Sequence, residues 1–129
     1  MLKNIRHQMI HALWNQYRQQ SSQMMKIAQA LAARNIITLP LDHFAVIDLP
    51  GPQTGIPILS DVFSALGFTK RGFGYLPDKQ NDFVWLAEDD APTQPATAVL
   101  PQVVIADFRL DEMPAEIRQI IYHEWFFLW

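Results

Sequence analysis

Hydrophobic and polar positions repeat with two different periods along this chain. In the first segment Ile5, Met9, Leu13 and Tyr17 fall four apart, and Ile10 and Trp14 widen the stripe, which predicts an amphipathic helix. The polar run Gln19–Gln23 breaks it, and Ser21 or Ser22 can cap a second helix with Met24, Ile27, Ala28 and Leu31 as its buried face and Asn35 as its stop. The period then changes to two, and the stretch Thr38 to Leu49 reads as an apolar, strand-like run. Proline and glycine between Leu49 and Gly55 force a turn. Pro57 suits the first turn of a helix that packs Ile58, Leu59, Val62, Phe63 and Leu66 and ends at Gly67. Three further strands follow: Phe68–Tyr75, loosened by Gly72 and Gly74, then Phe83–Ala87, then Gln102–Leu110. Residues 89–98 form an exposed, mobile loop, and Pro114 opens a last helix with Ile117, Ile120 and Ile121 on one face. The predicted fold class is α+β: a helical leader over 1–36, one βαβββ module over 37–121, and an apolar tail over 122–129. One such module leaves a sheet face uncovered. A truncated end or a reading-frame change would explain five bulky apolar residues at Trp125–Trp129, where chains are usually polar.

Composition narrows the function classes. With 129 residues, 50% hydrophobic and 18% charged, the chain can bury a real core. A net charge of −3 gives no electrostatic reason to expect nucleic acid or an anionic membrane as partner. The absence of cysteine excludes disulfides and thiolate-held zinc and fits a cytoplasmic location. Charged and polar residues interrupt the first twenty positions, so no signal peptide is expected, and no apolar run approaches the roughly 18 residues of a spanning helix.

Few residues invite chemistry. His43 opens the first strand and shares a face with Leu41, Ala45 and Ile47, while Asp42 and Phe44 point the other way. It is either a core histidine bonded to a backbone carbonyl or a neutral imidazole ligand for a divalent metal. As a metal site it is incomplete, because no other histidine or carboxylate lies at ligand spacing from it. His7 and His11 are four apart on a helix with no intervening acid, which reads as an exposed face, and His123 lies near the tail. Asp107 sits on an apolar strand face with Val103 and Ile105. It must be paired, with Arg71 or Arg109, or metal-bound, or set in a cavity wall. Glu88-Asp89-Asp90 and Asp111-Glu112 read as solvated strand ends. Gly72-Phe73-Gly74 lacks the lysine and helix start of a phosphate loop. The polar cluster Tyr75, Lys79, Gln80, Asn81 and Asp82 is a hairpin connection or a rim that touches substrate.

The stretches Ala12–Tyr17, Lys26–Leu31, Asp42–Val46, Phe63–Phe68 and Val103–Ile121, in that order and spacing, resemble one family over roughly residues 12–121. The chain resembles the N-terminal half of the 2-oxoadipate dioxygenase/decarboxylases, within the vicinal oxygen chelate (glyoxalase-like) superfamily. The resemblance implies two βαβββ modules around one Fe(II), bound by two histidines and a glutamate. His43 matches the first histidine; the other two ligands belong to a second module, which this chain lacks. It implies conversion of a 2-oxo acid and O₂ to a shorter 2-hydroxy acid and CO₂. One departure stands out. The family carries an arginine four residues after that histidine, toward the substrate carboxylate, and here the position is Ile47. No catalytic residue is assigned; His43 is expected as metal ligand, with Ile47 and Asp107 facing substrate. The alternative is a non-catalytic binding module whose two copies pair their open sheets as a homodimer.

Overall fold

The computed structural model describes the backbone of residues 1–126 and side chains through residue 124. The bulky side chains of the apolar tail thus lie outside the described residues. Helices α1 (Leu2–Gln20) and α2 (Ser22–Ala32) lead into strand β1 (His43–Asp48) and helix α3 (Gly55–Ala65). Strands β2 (Phe68–Leu76), β3 (Asn81–Glu88) and β4 (Gln102–Phe108) follow, then helix α4 (Ala115–Ile121) and a π-helical turn, Tyr122–Phe126. The four strands form one sheet in the order β1-β4-β3-β2, with β1 parallel to β4 and the other pairs antiparallel. This is the expected α+β arrangement, a βαβββ module preceded by helices. Among the described residues no helix is long and apolar enough to cross a membrane.

One face of the sheet carries the core. Phe44 and Val46 on β1, Val103 and Ile105 on β4, and Val84 and Leu86 on β3 are register neighbours. They pack with Phe63 of α3, Phe68 of β2 and Ile10 of α1. Phe63 meets the Phe68 ring edge-on at 5.8 Å.

Local chemistry sets the element ends. Ser21 caps α2 by accepting the Met24 amide (3.3 Å), and Asn35, at φ +61°, lets the Ile36 amide reach back to the Leu31 carbonyl (3.0 Å). At the start of α3, Asp48 accepts the Gly55 amide and Asp107 the Ile56 amide, each at 3.0 Å. Two carboxylates thus satisfy the orphan donors of that helix. The β2–β3 hairpin is tighter than the sequence suggests. Asn81 and Asp82 belong to β3, because Pro77–Lys79 forms a 3₁₀ turn and Gln80 closes it at φ +51°. At the other end, the last strand stops at Phe108, and Leu110 starts a short 3₁₀ turn.

The helical leader corrects the stripe reading. Ile5, Leu13 and Tyr17 are exposed, and α1 turns Arg6 and Ile10 inward. On α2, Met24, Ala28 and Leu31 are half-buried, and Ile27 is exposed. Ile117 and Ile120 of α4 and Val62 of α3 are exposed as well.

Glu88 overturns its reading as a solvated strand end. It is 1% exposed and accepts Arg6 Nε at 2.8 Å and the Leu100 amide at 2.7 Å. Arg6 also donates to the Leu66 carbonyl at 3.0 Å. The pair fastens α1 to the end of β3, and burial is tolerated because both charges find several hydrogen-bond partners.

Candidate functional site

Strand alternation places His43, Ala45 and Ile47 on the sheet face opposite the core. The register extends this face across all four strands. Ala45, Val104, Trp85 and Gly72 form one row, and Ile47, Ala106, Phe83 and Gly74 the next. His43 lies in the row of Gln102, and Asn81 pairs with Phe108 at the far end. The two glycines have a steric function here. A Cβ at Gly72 would overlap Trp85 Nε1, and one at Gly74 would overlap Phe83 Cζ. Without those carbons both rings lie across β2 as a flat aromatic floor. Trp85 and Phe83 are half-buried, and Ile47 is 63% exposed.

His43 is not a core histidine. Its side chain is 58% exposed, and Nδ1 lies 2.8 Å from Asp42 Oδ2. An ionised carboxylate only accepts, so Nδ1 is the donor of this pair, and Nε2 is the nitrogen left to meet another group. A carboxylate holding one histidine nitrogen while the other is free is the support that metal-binding histidines commonly have. His43 also borders a cleft of about 460 Å³ between α1 and β1, with Leu13, Trp14 and Tyr17 on its far wall.

Asp107 stands on the core side of the sheet, away from His43 and Ile47. It is 9% exposed and pairs with neither Arg71 nor Arg109; its partner is the Ile56 amide. Burial, with Asp82 and Asp48 as further negative neighbours, pushes its carboxyl pKa up, and the Ile56 amide opposes this. Arg71, carried on a bulge between Lys70 and Gly72, donates to the carbonyls of Glu88 (3.0 Å) and Asp89 (3.3 Å).

Arg109 chelates Asp82 at 2.8 and 3.0 Å, binds Glu112 at 3.0 Å and lies 3.6 Å above the Tyr75 ring. Tyr75 donates to Glu112 at 2.7 Å. The Tyr75 and Arg109 bonds hold the Glu112 carboxyl below its usual pKa, and Glu112 raises that of Tyr75. The polar cluster predicted as hairpin or rim is thus a lock between the β2–β3 hairpin and the turn after β4.

Among the described residues, no group of three or more histidine or acidic side chains is arranged to hold a metal ion. His43 fits one corner of such a site, and the chain's described residues do not complete it.

No protein-family model and no curated protein sequence matches the chain. Solved structures do. The hydroxyglutarate synthase of Oryza sativa, solved in complex with 2-oxoadipate, superposes with a TM-score of 0.77 at 21% identity. The match covers 95% of this chain and 40% of the rice protein. The fold is glyoxalase-like. A protein assigned to the glyoxalase superfamily from Ralstonia eutropha aligns with a TM-score of 0.71 at 16% identity, over 87% of this chain and 35% of that one. One assigned as a hydrolase from Shewanella frigidimarina reaches 0.65 at 17% identity, over 92% and 43%. The chain therefore spans less than half the length of each.

Proposed function

We propose that this chain is one module of an Fe(II)-dependent dioxygenase/decarboxylase acting on a 2-oxo acid, with His43 as one of three metal ligands. The observation that carries the reading is the exposed His43, its Nδ1 held by Asp42, on the face opposite the core of a sheet whose fold is shared with a 2-oxoadipate-binding enzyme. Residues 37–121 are the functional module, 1–36 the leader packed against it, and 122–129 a tail. The second histidine and a glutamate come from a second module facing the open sheet. Iron held by two histidines and one carboxylate keeps positions open for a 2-oxo acid and O₂. This chain's own part is to present the imidazole and line the cavity. A cysteine-free chain suits the reducing cytoplasm.

Paramagnetic broadening tests the ligand. Anaerobic Fe(II) added to the isotope-labelled chain should broaden resonances around His43, and His43→Ala should abolish the effect. Broadening that survives the substitution, or falls elsewhere, rules out His43. The exposed apolar residue Ile47 favours a second reading, a non-catalytic module that pairs its open face with another copy. A tight dimer in sedimentation that shows no iron effect would favour it.

A further inference from the structure

The open face has a chemical polarity of its own. At one end stand His43 and Gln102, groups that can meet a metal or a carboxylate. The middle is apolar, with Ile47 on one side and the aromatic floor of Phe83 and Trp85 on the other. Register puts Trp85 two strands from Ala45 and Phe83 two strands from Ile47, about 10 Å across at ordinary strand spacing. Among the described residues, the paired positions of this face include no lysine and no arginine. Arg71, the cation on the neighbouring bulge, is tied to two backbone carbonyls.

A substrate tail lying over this floor would meet rings and methyl groups. A second carboxylate would lose its hydration without gaining a counter-charge, which is costly. A flat or branched hydrocarbon tail would be favoured by the area it removes from water and by stacking on the rings. We infer that the face selects a monocarboxylic 2-oxo acid with an apolar, preferably aromatic, side chain. Ile47 and the Phe83–Trp85 floor then determine specificity. The inference rests on the 2-oxo acid reading given above and narrows it to a substrate class. The glycines belong to the same argument, because a side chain at either position would lift its ring off β2 and roughen the floor.

Titration of the labelled 129-residue chain, followed by amide and indole chemical shifts, tests this with three probes: 2-oxo-4-phenylbutanoate, 2-oxoadipate and 4-phenylbutanoate. The expected result is that the first binds at least about tenfold more tightly than 2-oxoadipate, with its largest shifts at Phe83 and Trp85. Ile47→Arg, at a position 63% exposed, should reverse the order of the two oxo acids. Equal or tighter binding of 2-oxoadipate by the unmodified chain would overturn the apolar class and leave the 2-oxo acid reading standing. If 4-phenylbutanoate binds as well as its oxo analogue, the floor is apolar but the 2-oxo acid reading fails, and this inference with it. Binding of none of the three overturns it outright.

Discussion

The two faces of the sheet use charge in opposite ways. On the covered face the buried and half-buried charges are committed to structure: Glu88 to Arg6, Asp48 and Asp107 to the amides that open α3, and Asp82 to Arg109. On the opposite face, among the described residues, the His43 imidazole stands at the end of an apolar field, and its Nε2 is spoken for by nothing that the structure describes. Stability is concentrated on the first face and binding capacity on the second. Substitutions should therefore separate the two properties cleanly, and five of them probe the division.

The largest effect is expected from Glu88→Ala. It leaves Arg6 buried without its counter-ion, which should cost about 3–5 kcal/mol. Urea unfolding would measure it, and a loss below 1 kcal/mol would mean that α1 is not fastened by this pair. Next is Gly55→Ala. Gly55 sits at φ +83°, and a Cβ there would lie 2.8 Å from Asp107 Oδ2. Left-handed strain of about 1–2 kcal/mol is expected, and the same unfolding experiment reads it.

A third test uses pH. Burial raises the Asp107 carboxyl above its ordinary 3.8, so the folded chain holds that proton more tightly than the unfolded one. The stability from this group is fully present below the ordinary carboxylate pKa and is lost as pH rises through the raised value. Asp107→Asn, whose side-chain oxygen can still accept the Ile56 amide, should lose less stability than the parent between acid and neutral pH. Parallel pH profiles of the urea midpoint would contradict this. The smallest effects belong to the open face. His43→Ala and Ile47→Arg should each change stability by no more than about 0.5 kcal/mol. A shift in melting temperature comparable to that of Gly55→Ala would show that the open face also supports the fold.

Much of the architecture was legible because periodicity is a local property. The strand alternation around His43, the α3 stripe centred on Phe63 and the stops at Asn35 and Gly67 each follow from neighbouring residues. What escaped was set by distant partners. Glu88 looked solvated beside Asp89 and Asp90, since the residue that neutralises it lies 82 positions away. Its one sequence signal is that Arg6 stands four residues before Ile10, on the line of α1 that faces the sheet. Asp107 was rightly seen as needing a partner, yet that partner is a backbone amide, which has no signature in a sequence. Gly72 and Gly74 looked like weak points in a strand. Only the cross-strand register with Trp85 and Phe83 turns them into the bed of an aromatic floor.

The Arg6–Glu88 pair also orders events in time. Closing a loop that long costs entropy before any contact repays it. On the ribosome α1 emerges before the sheet: its anchoring carboxylate appears only after β3 has been made, and Leu100, which holds that carboxylate in place, comes later still. Arg6 must wait, solvated, until the sheet exists to receive it. A helix made before the sheet is thus among the last elements to lock onto it.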